Sequence, residues 1–308
     1  MLNHAYLVFT TLLALAPSHG VALRLDPKST KPVPHGSSSQ GASPGQKGNA
    51  SLTKDERQAL LAAGQSYREG VHFLGRRDFD RAEACLGKAR KIIVDTVGEE
   101  NSGYASTIAA LGVLRAWKGQ HREAEALLRR AMEIQAKVLG KQHSDYIATI
   151  TNLGGLYSKT GEREKALALL LQAVNLHKER GDNHIDFAAS LNNLGSLYLR
   201  MDQYDRAEPA LQQAHEIYKK QVGENHPAFA DSLERLGKLE TSKGDFGKAE
   251  GFLRRSLDLR ERILPPNHPN LAESLESYAV LLRKMKRDTE AALLEERASR
   301  IRATSPNR

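Results

Sequence analysis

The chain has 308 residues, 40% hydrophobic, 6% aromatic and 27% charged, enough apolar material for a buried core and a balance typical of helical proteins rich in Ala, Leu, Glu, Lys and Arg. Its formal net charge of +8 is diluted. Residues 1–53 hold four Lys/Arg and one Asp, leaving an excess of only +5 spread over the remainder, with no basic run and no aromatic interleaving, which excludes a nucleic-acid stacking platform. Cys85 is the single cysteine, so no intramolecular disulfide is possible, and its position in a helical pattern predicts a buried, inert thiol.

In chain order, Ala5–Ala16 is a mainly apolar stretch followed by Pro17, Ser18, His19 and Gly20. This pattern is that of a secretory signal peptide over residues 1–20, and the run is too short for a spanning helix of about 20 residues. An exported protein, secreted or periplasmic, is expected, with an uncleaved membrane anchor as the alternative. Residues 21–53 turn to Ser, Gly, Pro, Lys and Gln, a composition that reads as a flexible tether because it cannot offset the entropy of ordering. Within it, Asn49-Ala50-Ser51 fits a glycosylation sequon.

From residue 54 the sequence repeats. Ala82, Ala124, Ala166, Ala207, Ala249 and Ala291 recur at intervals of 42, 42, 41, 42 and 42. Twelve residues before each stands Gly70, Gly112, Gly154, Gly195, Gly237 and finally Ala279; four residues after the first five stands Leu86, Leu128, Leu170, Leu211 and Leu253. Small residues at fixed intervals mark places where two helices approach to about 8 Å. Apolar residues spaced by three and four around them give each repeat two amphipathic helices, A then B. Gly119, Gly161, Asp202 and Gly244 punctuate the A-to-B turn, and Gly98, Gly140, Gly181 and Gly223, with Pro265 and Pro266, end the B helices. The interval of 41 removes one residue from helix B of the third repeat, where a kink or changed rotation is expected. Residues 303–308 read as a disordered tail.

Leu194-Gly195-x-x-Tyr198 followed by Ala207, Leu211 and Ala214 resembles the tetratricopeptide repeat. The 42-residue period, Ser190-Leu191-Asn192-Asn193-Leu194, and the Asn-His-Pro triplets at 225–227 and 267–269 are similar to the long variant of kinesin light chains. The resemblance implies an all-α, right-handed α-solenoid of about six helix-turn-helix repeats over residues 54–302, with the A helices lining a concave peptide groove. Glu69, Arg115, Glu240 and Glu295 depart from the pattern at usually apolar positions, suggesting polar-faced caps at the array's ends.

His143, His184, His226 and His268 recur once per repeat. Adjacent repeats are separated by a helix width, too far to share one metal, so these histidines read as structural residues at the entrance to each following helix A. No phosphate-cradling glycine loop, HExxH, GxSxG or paired-cysteine motif is present, so neither catalysis nor a cofactor nor a metal site is expected. The remaining candidate is the groove: Asn152, Asn192 and Asn193 as backbone clamps for an extended ligand, Ser196 and Arg235 beside them, and Lys159, Arg200 and Lys238 favouring acidic groups. The asparagines have a second reading, as hydrogen bonds that steady neighbouring helices. Trp117 is either a binding anchor or a wedge between hairpins. The expected function is a non-catalytic scaffold for a peptide or protein partner, with no nucleic-acid partner and no membrane span in the mature chain. A self-associating scaffold, with a homo-oligomer possible, and a regulatory subunit of an enzyme encoded elsewhere are the alternatives.

Overall fold

The computed structural model describes residues 52–304; the expected signal peptide, most of the tether, Asn49 and the last four residues lie outside them. The described residues hold twelve α-helices and no strand: α1 Lys54–Gly75, α2 Phe79–Val97, α3 Ser102–Trp117, α4 His121–Val138, α5 Ser144–Thr160, α6 Arg163–Glu179, α7 Ile185–Arg200, α8 Tyr204–Gln221, α9 Pro227–Lys243, α10 Phe246–Ile263, α11 Pro269–Lys284 and α12 Asp288–Thr304. Odd and even numbers are the A and B helices read from the sequence, paired into six hairpins. The helices form two compact units, residues 52–146 and residues 147–304, with the division inside α5. None of these helices is long and apolar enough to cross a membrane.

The first helix starts at a capping box, Glu56 N donating to Thr53 Oγ1 at 3.2 Å and Thr53 N donating to the Glu56 carboxylate at 2.8 Å. The repeating histidines do cap helices: His143, His226 and His268 accept backbone N–H bonds on Nδ1 at 3.1, 3.1 and 3.2 Å. Pro227 and Pro269 follow two of them at the first helical position, where a missing N–H costs nothing. His184 occupies the cap of α7 without a side-chain bond.

At every A-to-B turn the residue five before the repeat alanine has positive φ, from 56° to 89°. Four of these sites are the punctuation read from sequence; the other two are Arg77 and Lys286, side chains that give no turn signal. Helix α6, which carries the deletion, has 17 residues against 19 in α2 and 18 in α4, α8 and α10. The lost residue is taken up as helix length. Helix α12 runs through Thr304, two residues into the expected tail.

The repeating glycine exists because of the repeating leucine. A Cβ built on Gly195 would stand 2.6 Å from Leu211 Cγ, and on Gly70, Gly112, Gly154 and Gly237 it would meet Leu86, Leu128, Leu170 and Leu253 at 2.6–2.9 Å. Each leucine is at most 1% exposed. The last hairpin has Ala279 for the glycine and, in step, Glu295 for the leucine; that carboxylate turns outward to Arg283 at 2.8 Å. Arg115 is likewise satisfied by Glu83 and Glu123 at 2.6 and 3.3 Å. Trp117 packs as a wedge: its ring lies 6.0 Å from Phe79 at the start of α2, with the Arg77 guanidinium 5.3 Å over it. Cys85 is a free thiol that is only part-buried, more open than the inert buried thiol expected.

The candidate interaction face of the A helices

The proposed ligand residues all lie on α5, α7 and α9, inside the unit of residues 147–304. Helices α7 and α9 are enclosed nearly all round, because each has its own helix B and neighbouring hairpins packed against it. Positions 149–158 of α5 and 187–198 of α7 are buried without interruption.

Counting from the repeat glycine places each residue. Three positions before it stand Thr151, Asn192 and Glu234; eleven positions past the repeat alanine, on helix B, stand His177, Tyr218 and Arg260. Asn192 is 0% exposed and its amide abuts the equally buried Tyr218 hydroxyl, whose ionisation burial suppresses. Thr151 Oγ1 lies 2.9 Å from Ser190 Oγ on the next A helix. Arg235, 2% exposed, donates to Ser196 Oγ. Asn193 is also buried, at 3%. Ser196 and Arg235 thus join neighbouring helices, whereas the Asn192 amide, shut in beside Tyr218, has neither of its polar atoms hydrogen-bonded.

The helix B column was not singled out from the sequence, although the same grid reveals it: Ile93, Gln135, His177, Tyr218 and Arg260 are all buried to 2% or less, with polar residues where a leucine would be unremarkable. Its most elaborate member is Arg260. The guanidinium donates to Asp231, Glu234 and Ser274 and, at 3.2 Å, to the Asn270 carbonyl, tying α10 to α9 and α11. Glu234 also receives Lys238 and, at 2.8 Å, the Ser277 hydroxyl. Burial works against its ionisation, but Arg260 and Lys238 outweigh it and hold the carboxyl below the usual range. At Asp231 burial prevails and pushes the carboxyl up, against the pull of Arg260. Lys238 has a further carboxylate in Glu273, 3.8 Å away, so its charge is matched from within the chain.

Asn152, Lys159 and Arg200 differ. Asn152 is 7% exposed, and Lys159 and Arg200 are half-buried near the C-terminal ends of α5 and α7. Arg200 Nη1 donates to the Ser158 carbonyl at 3.0 Å, a cation at a helix C-terminus where the macrodipole favours one; Lys284 does the same to Thr241 at 3.3 Å. Burial, then the nearby Arg235 and Arg163 charges, push the Arg200 guanidinium down to about 10. Among the described residues no cluster of three or more His, Cys, Asp or Glu has metal-site geometry.

The tetratricopeptide repeat family profile matches residues 104–179, 186–262 and 229–304, well over half of the chain. Among solved structures the chain is similar to BtubC (BKLC) from P. vanneervenii, at 23% identity and a TM-score of 0.54 over 83% of this chain and 96% of that one. A putative kinesin light chain of Podosopora anserina with nearly identical TPR-like repeats matches at 25% identity and a TM-score of 0.51, over 68% of this chain and 100% of that one. A Rap protein complexed with competence and sporulation factor matches at 14% identity and a TM-score of 0.63, over 81% and 77%. No curated protein matches the sequence.

Proposed function

The chain belongs to the tetratricopeptide repeat family, and from that premise we propose that it binds an extended segment of a partner protein along the A-helix face of residues 147–304. The observation that carries this reading is a contrast among polar residues of that face: Ser196 and Arg235 are bonded to each other across helices and Asn192 is sealed beside Tyr218, whereas the Asn152 amide, 7% exposed, is bound up in no such contact among the described residues. Lys159 and Arg200, at the C-terminal edge and partly open to solvent, supply positive charge for acidic groups on the ligand. The amide offers both a donor and an acceptor to a peptide backbone. The Rap protein complexed with competence and sporulation factor, similar in fold, supports the reading by analogy of architecture alone. Export through the N-terminal segment belongs to the same proposal and places the partner outside the cytoplasm.

The test is affinity capture from the native compartment with the full chain, followed by mass spectrometry, in parallel with Asn152→Ala/Lys159→Ala. The double variant is expected to retain its melting temperature and to lose the partner selectively recovered by the unaltered chain. Equal recovery by both would refute the assignment of the face. Asn192→Ala is the contrasting variant, expected to lower the melting temperature because it opens a cavity at a position that is 0% exposed.

A further inference from the structure

Contacts between successive A helices obey one register. The residue three before the repeat glycine meets residues five and two before the glycine of the next hairpin: Thr151 with Ser190 at 2.9 Å, and Glu234 with Ser274 and Ser277 at 3.5 and 2.8 Å. The residue one past the glycine meets the position two before the next, as Ser196 meets Arg235. The rule holds across different side chains, so it is a property of how hairpins stack and not of any one pair.

At the two ends of the array this register has no successor and no predecessor within the described residues. On α11 the residues that would receive a next hairpin are Glu276 and Val280; Val280 is 55% exposed. On α1 the residues that would meet a preceding hairpin are Gln65 and Arg68, and Leu61 stands one helical turn before Gln65 on the same face. Leu61 is 70% exposed, beside a cleft lined by Leu52, Lys54, Arg57 and Gln58. A solenoid end that met only water would carry polar residues there. This chain instead shows an aliphatic residue at each end, with a carboxylate beside one and a guanidinium beside the other.

We propose that these ends are complementary halves of one interface, in which α1 of a second copy of the chain stacks on α11 head to tail. The register places Arg68 of the arriving copy against Glu276, as Ser277 stands against Glu234, and lays its aliphatic stem on Val280, as Arg235 lies on Ser196. Gln65 takes the position of Ser274 and Ser190. Arg68 is exposed and makes no ion pair among the described residues, so it is available; Glu276, held by Arg302 at 2.6 Å through both oxygens, is a preorganised acceptor with lone pairs remaining. The contact is heterologous, so it leaves a free head and a free tail on every dimer.

Sedimentation velocity on the full chain tests this, from low micromolar to about 200 µM at low salt, since association by mass action makes the apparent mass rise with concentration. The unaltered chain is expected to associate, and Arg68→Glu, Leu61→Asp and Glu276→Arg are each expected to weaken association at least about tenfold, as loss of a central charge or anchor does. Growth of the unaltered chain beyond the dimer separates this open geometry from a two-fold one, which closes at two copies. An equimolar mixture of Arg68→Glu and Glu276→Arg tests the pairing itself: each variant alone sets like charges face to face and stays monomeric, whereas the mixture offers opposite charges at both contacts, Arg68 with Glu276 and the two exchanged residues with each other, and associates. Leu61 and Arg68 are exposed, so their variants retain the melting curve even if Glu276→Arg loses stability with its Arg302 pair. A monomer at all concentrations, association indifferent to Arg68→Glu and Leu61→Asp, or a mixture that behaves as the sum of its parts would each overturn the proposal. Partner capture by the A-helix face is independent of these variants, so neither proposal's failure counts against the other.

Discussion

His177 shows how a repeat position is re-used. Gln135 holds the same register one hairpin earlier and Tyr218 one later, and all three are buried. The His177 ring packs against Phe187 in a tilted arrangement with centroids 5.4 Å apart, Nδ1 lies 2.9 Å from the Asp182 carboxylate, and Nε2 is shut from solvent with no hydrogen-bond partner. A second proton would place an N–H bond against apolar atoms. Burial therefore lowers the affinity of the ring for that proton, with Asp182 pulling the other way and Arg180 and His184 adding to the lowering. His215, stacked on Phe229, and His226 at the cap of α9 are lowered for the same first reason, burial. The sign follows from linkage: the unfolded chain takes up these protons at pH about 6.5 while the folded chain still refuses them, so stability is full above that pH and falls as pH drops toward the lowered folded values. The melting temperature is expected to decline on acidification from pH about 7 to about 5. His177→Gln, which installs the residue of the preceding hairpin, is expected to flatten the decline with little loss at neutral pH. A pH profile with the same slope for His177→Gln would refute this role of the ring.

Between paired helices the governing unit is the glycine and the leucine it admits. Gly195→Ala forces a methyl into the 2.6 Å approach of Leu211 Cγ, and overpacking of this kind costs about 1–3 kcal/mol, less the roughly 1 kcal/mol that alanine gains over glycine in a helix. Leu211→Ala alone, at 0% exposure, is expected to cost about 2–5 kcal/mol. The pair shares one volume, so the double variant is expected to be more stable than the sum of the single losses predicts, and denaturant unfolding of the four chains measures the difference. Additivity would remove the steric reason for the glycine. The native chain holds a related combination, Ala279 with Glu295. This packing code was legible in the sequence because it repeats and because small residues have few other reasons to recur. The turns at Arg77 and Lys286 were not, since positive φ there is imposed by neighbouring helices on residues that do not advertise it. The inner face was legible only in part: periodicity gives the angle of Asn192 about its helix, but not whether a groove or the Tyr218 side chain lies in that direction.

Across the whole array, stability is the sum of hairpins and the interfaces between neighbours, so a local loss has a reach set by its contacts. Arg260 is the sharpest test of that reach. It is buried on α10, bonded to Asp231 and Glu234 on α9 and to Ser274 and the Asn270 carbonyl on α11. Arg260→Met preserves much of its volume but strands the buried Asp231 carboxylate and leaves Glu234 with Lys238 and Ser277 alone, a defect expected to cost about 3–5 kcal/mol. Replacing the acids as well, with Asp231→Asn and Glu234→Gln, removes the stranded charge and is expected to recover part of the loss, because the penalty belongs to the unpaired partners more than to the missing bonds. Hydrogen exchange followed by mass spectrometry locates the effect. Amides of α9, α10 and α11 are expected to lose protection in Arg260→Met, while those of α6, whose hairpin has no bond to the network, retain theirs. Uniform loss of protection from α6 to α12 would mean that this unit unfolds as one cooperative body, and that the charge network stabilises all of it rather than the single junction it spans.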